Sequence, residues 1–363
     1  MQLRAQQIEL NPNNKQSTLM SQHAGYARVA FNFALSSFKA GLDKDEWRSH
    51  VDIKREFNAV KRDKFDWCDA LSQYASKNAI HNFGDAITRW KSGQNKFPIY
   101  KNRSGKCSYQ ADNGLGTVEV YKKRIKLPKI GWVRMREELR YTGEISKVVV
   151  SKRNNRWFVS ITVRNLESNN YNHQPSLFDD KQPMGIDVGI NTLATCSNGD
   201  TYENPRPLKR YERKLARANR ALSRKVKGSQ NWHKAKKRLG GVHYRISNIR
   251  EDAHHQATTK IVRKASAIGI ETLNISGLLK NRSLAKALSD SALSRFLTML
   301  KYKAERRGIP ITEADRFFAS SKTCSHCGHK QKHLTLSDRV YNCLKCGFSC
   351  DRDLNAAINL CPA

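Results

Sequence analysis

Four cysteines towards the C-terminal end constrain this chain more than any other feature. Cys324 and Cys327 form one C-x2-C pair, Cys343 and Cys346 form a second, and fifteen residues separate the pairs. Each pair can aim two thiolates at one point, and two such pairs complete a tetrahedral sulfur shell around a zinc ion. Gly328 and Gly347 follow the pairs and permit the tight turn that directs both sulfurs inward. The shell has no open position, so the zinc is expected to be structural rather than catalytic. Cys350, His326, His329 and His333 are the competing ligands nearby, and four thiolates already suffice without them. Cys68, Cys107 and Cys196 are scattered and read as small buried hydrophobes, while Cys361 near the end carries no pattern. Thiols used in this way imply a reducing compartment. The N-terminal MQLRAQQIELNPNNKQ has no apolar stretch to serve as a secretion signal. No run approaches the ~18 to 20 apolar residues of a spanning helix. A cytoplasmic location is therefore expected.

The second constraint is charge. Lys and Arg total 66 against 32 Asp and Glu, a net charge of +34 over 363 residues. A potential of that sign suits a polyanionic partner and argues against an enzyme of small metabolites. The length predicts about two to three domains.

Along the chain, residues 1–12 show period-two alternation and predict one strand. Residues 16–92 are mostly helical in pattern, with apolar faces through Ala30, Phe33, Ala34 and Phe38, and through Leu71, Tyr74, Ala75, Ile80 and Phe83. Gly41 is expected to end one of these helices. Residues 97–164 switch to short β-rich runs such as 117–121 and 157–163, punctuated by Pro98, Gly105, Gly114, Gly116, Gly131 and Gly143. A small β-barrel formed by 1–12 and 97–165, with a helical module of 13–96 inserted, accounts for that order. Residues 166–182 are polar and aperiodic and read as a linker. The stretch from Pro183 to Asp200 predicts an apolar hairpin. Residues 206–264 predict a basic helical hairpin broken at Gly240–Gly241, with an apolar face of Leu208, Tyr211, Leu215, Ala218 and Leu222. A strand over 267–273, a helix over 288–306, a short strand from Ile309 and a helix from Asp353 complete the pattern.

Acids are scarce, which sharpens those in unusual places. Asp187 lies inside Met184–Gly185–Ile186–Asp187–Val188–Gly189, and Glu271 closes Ala267–Ile268–Gly269–Ile270. A bare carboxylate in an apolar strand costs several kcal/mol unless it is paired or holds a cation. Asp351 and Asp353 open the last helix, where an N-cap or dipole role is the simpler account of either residue taken alone. The order strand acid, basic helices, strand acid, helix acid fits a ribonuclease-H-like fold, in which three acids converge. Such a cluster recruits two hard divalent cations ~3.5 to 4 Å apart, one activating water and one stabilising the leaving oxygen of a phosphodiester. Magnesium suits oxygen ligands that retain waters.

At these residues a family resemblance emerges. GIDVGINTLAT at 185–195, IETLNISGL at 270–278, SSKTCSHCG at 320–328, YNCLKCG at 341–347 and DRDLNAAINL at 351–360 resemble the RuvC nuclease half of the TnpB (OrfB) proteins of insertion sequences, relatives of type V CRISPR effectors. Arg28, Phe31–Asn32, 96–101 and Leu127–Pro128 resemble the more variable first half. The resemblance implies an RNA-guided DNA endonuclease of bacterial or archaeal origin, acting at the nucleoid. Its implied architecture is α/β plus β-barrel: a wedge barrel carrying a helical recognition module, a RuvC-like nuclease over 183–315 and 348–363, and a zinc finger over 316–347 for target nucleic acid. It implies Asp187, Glu271 and Asp353 as the catalytic, magnesium-binding triad, with Asp351 the weaker candidate for the third acid. The zinc ligands it implies are Cys324, Cys327, Cys343 and Cys346. The implied partners are a guide RNA from the transposon end and target double-stranded DNA bearing a short adjacent motif. The oligomeric state is left open, with a monomer favoured.

The basic residues between 206 and 264 are expected to meet phosphates, foremost Lys209, Arg210, Arg213, Lys214, Arg217, Arg220, Arg224, Lys236, Lys237 and Arg238. Tyr211, Trp232 and Tyr244 are candidates for stacking on unpaired bases. Two other functions could use the same residues: a nuclease-inactive, RNA-guided DNA-binding repressor, and a transposase that joins strands.

Overall fold

The computed structural model describes residues 2–111, 116–165, 181–331, 334 and 338–362. The chain divides into two compact units, Met1–Asn172 and His173–Ala363. Most of the expected linker, residues 166–180, lies outside the described residues, as do Gly114 and His333.

The first unit opens with strand β1 (Gln2–Asn11), then helices α1 (Asn14–Leu42), α2 (His50–Lys64) and α3 (Gln73–Lys91). Six strands follow: β2 (Cys107–Ala111), β3 (Glu119–Tyr121), β4 (Arg124–Leu127), β5 (Gly131–Met135), β6 (Glu144–Arg153) and β7 (Arg156–Asn165). They form one antiparallel sheet in the order β2-β6-β7-β1-β5-β4-β3. β1 alternates as predicted, burying Gln6, Ile8 and Leu10. It pairs with β7, placing Ile8 opposite Val159, and with β5, placing Leu10 opposite Met135. Asn154 and Asn155, both at positive φ (46° and 66°), turn β6 back into β7 as a two-residue hairpin needs. Among the described residues no ladder joins edge strands β2 and β3, so the expected barrel is seen as a seven-stranded sheet.

Helix α1 begins with a capping box in which Asn13 accepts the Gln16 N–H at 2.8 Å and Gln16 accepts the Asn13 N–H. Phe31 and Phe38 of α1 each meet Phe83 of α3 at 5.7 Å between ring centres. Gly41 lies inside α1 and supplies room rather than a left-handed cap. A Cβ there would lie 2.6 Å from the Arg48 side chain.

The second unit begins with strands β8 (Gln182–Asp187), β9 (Thr192–Cys196) and β10 (Thr201–Glu203). Helices α4 (Pro207–Ser223) and α5 (Gln230–Lys264) lead to β11 (Ala265–Glu271). Helices α6 (Ile275–Leu278), α7 (Arg282–Ser291) and α8 (Leu293–Glu305) lead to β12 (Ile311–Ala314). The hairpin β13 (Val340–Asn342) and β14 (Ser349–Asp351) runs directly into α9 (Arg352–Asn359). The main sheet has the order β10-β9-β8-β11-β12. β11 is parallel to both β8 and β12, and β9 is antiparallel to its neighbours. Both parallel connections run through helices, as parallel strands require. Ile186, Leu193, Ile261, Ile268, Ile270, Phe296 and Leu300 fill the core.

Two helical expectations are corrected. Gly240–Gly241 does not break the basic hairpin, because α5 runs unbroken through both. The turn lies at 224–229, where Gly228 takes φ +90° and Ser229 caps α5 by accepting the Trp232 N–H at 3.1 Å. Ala235, Val242 and Ile246 are buried along α5, and that packing outweighs the ~1 kcal/mol each glycine costs a helix. The helix expected over 288–306 is split at Ala292, which takes a left-handed conformation (φ 48°, ψ 47°) between α7 and α8.

The close approach that organises this unit is made at two glycines. Gly185 on β8 and Gly269 on β11 are register partners. A Cβ on Gly185 would stand 1.9 Å from the Ala357 carbonyl oxygen, and one on Gly269 would stand 1.7 Å from that of Leu360. The C-terminal helix therefore rests its backbone directly on the two central strands. Gly269→Ala should destabilise the C-terminal unit by about 3 kcal/mol or more, because backbone rather than a side chain must move. Urea unfolding of the variant should show a lower midpoint for this unit.

Candidate active site and zinc centre

Asp187 and Glu271 are the last residues of β8 and β11. The strands are parallel, with Ile186 opposite Ile270, so both acids leave the sheet at the same edge. Each lies two residues after its glycine and thus on the strand face that α9 covers. Asp353 lies in the first turn of α9. Asp351 caps that helix, accepting the N–H groups of Asp353 (2.9 Å) and Leu354 (3.0 Å) through Oδ1. The N-cap role considered for this acid pair thus falls to Asp351.

The three expected acids are brought together electrostatically. The Asp187 carboxyl is pushed up to about 7, first by burial and then by the negative charges of Glu271 and Asp353. Arg352 opposes the shift and Asp351 adds to it. The ligand atoms of the three acids are not all within 4.8 Å of one another, the spacing that the four cysteine sulfurs meet. The donor set is entirely oxygen, as hard divalent cations prefer. The repulsion registered at Asp187 is what such cations would relieve.

At the zinc centre, Cys324 Sγ lies 3.8 Å from Cys346 Sγ, and Cys327 Sγ lies 3.6 Å from Cys343 Sγ. A tetrahedron with Zn–S bonds of ~2.3 Å has edges of about 3.8 Å, so the sulfurs fit a zinc ion. Gly328 and Gly347 both take φ +71°. Their N–H groups return to Cys324 O (2.9 Å) and Cys343 O (3.0 Å), making two matching knuckles. Backbone N–H groups of Cys346 and Lys345 lower the Cys343 thiol to about 6, against the cost of desolvation. His326 stacks on Phe348, His329 contributes its carbonyl, and Cys350 stands on β14 outside the sulfur cluster.

Sequence reasoning missed the polar ties of α9. Asn355, fully buried, donates to Thr323 O at 2.7 Å and accepts the Ser325 N–H at 3.0 Å. Asn359 donates to Ser320 O (2.8 Å) and Thr323 O (2.7 Å). The i, i+4 spacing of two asparagines in the otherwise apolar stretch 354–360 was the available signal. Asp290 was also missed. Only 4% exposed, it caps α4 from α7 by accepting the Leu208 and Lys209 N–H groups and pairs with Arg250 at 3.1 Å.

All ten expected phosphate-contacting residues are exposed on α4, at its C-terminal cap or on the first turns of α5. Lys214, Arg217 and Arg238 line a groove of about 730 Å³ between the helices, with Lys225, Lys234 and Arg245. Lys209, Arg210, Arg213, Arg220, Arg224, Lys236 and Lys237 are not among its lining residues. Of the candidate stacking residues, Tyr211 lines the groove, with Arg245 5.8 Å from its ring centre. Trp232 has Lys236 at 4.8 Å.

A protein of Streptomyces pristinaespiralis named "Putative RNA-guided DNA endonuclease" is 32% identical over 99% of this chain and 89% of its own length. This chain belongs to the TnpB (OrfB) family. The family pattern described as "Probable transposase" matches residues 161–282, and one described as "Cas12f1-like, TNB domain" matches 294–360. A protein of Escherichia coli K12 named "Putative RNA-guided DNA endonuclease InsQ" is 28% identical over 99% of this chain and 92% of its own length. A solved structure of a Cas12f1–sgRNA–target DNA complex aligns with TM-score 0.37 and 14% identity, covering 99% of both chains. A pattern described as "Helix-turn-helix domain" matches residues 1–42. In this TnpB chain that segment is a strand and one unbroken helix, with no second helix after a turn. No helix among the described residues is long and apolar enough to cross a membrane.

Two outcomes follow for this TnpB chain. It should carry one zinc per chain by elemental analysis, and Cys324→Ser combined with Cys327→Ser should lose it. The raised Asp187 carboxyl also gives a pH dependence. Without added divalent cations, the folded chain keeps the Asp187 proton up to about pH 7, whereas the unfolded chain loses it near pH 4. This contribution to stability is favourable at low pH and is lost as pH rises through that window. Asp187→Asn should therefore raise the melting temperature more at about pH 7.5 than at about pH 5.

Proposed function

We propose that this chain is an RNA-guided DNA endonuclease that hydrolyses phosphodiester bonds at a magnesium site formed by Asp187, Glu271 and Asp353. The observation that carries the reading is the convergence of acids from β8, β11 and α9, where burial first and then the charges of Glu271 and Asp353 push the Asp187 carboxyl up to about 7 in a chain of net charge +34. The order β10-β9-β8-β11-β12, with three strands antiparallel in turn and then two parallel, supports a ribonuclease-H-like (RuvC) nuclease. The relatives' names support RNA guidance and DNA as substrate.

Two magnesium ions held by the three carboxylates would supply Lewis acidity for water attack and for the leaving oxygen. The chain's own residues prepare that chemistry. The sheet fixes Asp187 and Glu271 side by side, and α9 brings Asp353 over them. Arg352 tempers the charge at Asp187. The basic α4–α5 hairpin holds nucleic-acid backbone without reading sequence. Between 206 and 250 it carries sixteen Lys and Arg and one acid, Glu212. Guide pairing carries sequence, while the protein reads duplex shape and a short motif adjacent to the target. In this reading the first unit is a wedge barrel with a recognition module in α1–α3, and the zinc finger contacts target nucleic acid. A monomer in a reducing cytoplasm suits this assignment.

The description "Probable transposase" favours strand joining as the second reading, since the same acids could run either chemistry. The test is purified protein with its co-expressed RNA, matched target plasmid and Mg2+. Cleavage is expected. Asp187→Ala, Glu271→Ala and Asp353→Ala should each lower it by about a thousandfold or more while DNA binding persists. Products joined to a second DNA would favour transposition, and intact plasmid across matched targets and adjacent motifs would overturn the nuclease reading.

A further inference from the structure

The proposed centre accounts for three carboxylates but not for the residue that grips one of them. Ser320 is 2% exposed and donates its hydroxyl to Glu271 Oε1. It opens the short 3-10 turn Ser320–Lys322, which Thr323 joins to the first zinc ligand, Cys324. Its surroundings hold it firmly. Asn359 of α9 donates to the Ser320 carbonyl at 2.8 Å. The Thr323 N–H and hydroxyl both return to Ala319 O, at 3.1 and 3.0 Å. The Thr323 carbonyl accepts from Asn355 and Asn359, and Asn355 also binds the Ser325 N–H inside the first knuckle. An unbroken chain of hydrogen bonds thus runs from the knuckle through α9 and Ser320 to Glu271.

The backbone of Glu271 is fixed independently. Its register partner is Ala314, and the next residue, Thr272, donates its hydroxyl to Ala314 O at 2.8 Å. What that ladder leaves free is rotation of a long carboxylate side chain. A hydroxyl on one oxygen removes that freedom and leaves the other oxygen for a cation. Among the described residues no hydrogen-bond donor reaches the Asp187 carboxylate, so the fixation is particular to Glu271.

We propose that Ser320 is a positioning residue for the divalent-cation site, orienting Glu271 and tying its geometry to the folded zinc knuckle. The inference rests on the acids being a cation site, and its test separates the two. Full-length protein with zinc retained is titrated with Mg2+, and with Mn2+ as a second probe, by calorimetry and by melting-temperature shift, before any cleavage assay. Removing a partner that orients a metal-binding side chain costs about tenfold in affinity. Ser320→Ala should weaken Mg2+ binding by about that factor and raise the Mg2+ concentration for half-maximal cleavage. Its zinc content should stay at one per chain. Ser320→Thr, which restores the hydroxyl, should recover most of the loss. In a Glu271→Gln background, Ser320→Ala should change Mg2+ binding by less than about twofold, since the group it orients is already altered. Unchanged Mg2+ affinity in Ser320→Ala, or an equal loss in the Glu271→Gln background, overturns the role of Ser320 and leaves the nuclease reading standing. Failure of the wild-type chain to bind either cation overturns both.

Discussion

The second unit depends on one contact, the seating of the α9 backbone on Gly185 and Gly269. At 1.9 and 1.7 Å from where a Cβ would stand, carbonyl oxygens occupy the space a side chain would need. The two glycines are partners on adjacent parallel strands, so together they form a bare strip across the sheet. A helix lying on that strip comes closer than side chains would allow. Its first turn then projects over the strand ends, where Asp187 and Glu271 emerge. The interval of two residues between each glycine and its acid is the geometric consequence of strand alternation: the residue that must be absent and the residue that must act share one face.

That closeness has an electrostatic cost, and the rest of the chain is arranged around it. Burial, and after it the negative charges of Glu271 and Asp353, push the Asp187 carboxyl upward. The protein as a whole carries a large excess of positive charge, yet little of it is spent at the acids. Part of the excess is displayed on α4 and α5, around a groove with six basic side chains in its lining. The acid cluster and the basic groove are thus kept on different elements. Asp290 anchors the basic hairpin to α7 by capping α4 and pairing with Arg250, a use of acid that strengthens the scaffold without neutralising the exposed face.

The zinc module is part of the same construction. Its second strand, β14, ends at Asp351, which is also the cap of α9, so the finger and the helix carrying Asp353 share a residue. Asn355 and Asn359 bind the backbone on the other side of the first knuckle. The helix is therefore pinned along one face by glycine strands and along another by the finger. This explains why the four-cysteine cluster, which could hold a zinc ion, is tied to the helix that carries Asp353.

Much of this was legible in the chain itself. The cysteine spacing specified the sulfur cluster because a C-x2-C turn is a local geometry, set by a few bonds and a glycine. Asp187 and Glu271 stood out because charge in an apolar strand conflicts with its neighbours, and that conflict is visible in order alone. Strand β1 and the helices α1 and α3 declared themselves by periodicity. The sequence was misleading where packing overrides local preference: two glycines sit unbroken within α5, and Ala292 splits a helix that its pattern runs straight through. What the sequence could not contain was distance between remote segments. The register that sets Gly185 against Gly269, the hydroxyl of Ser320 at Glu271 and the capping of α4 by Asp290 join residues tens of positions apart, and each is fixed only when the sheet and its helices close. Residue types and their spacing determined which chemistry this chain carries; tertiary packing alone decided which groups stand near enough to perform it.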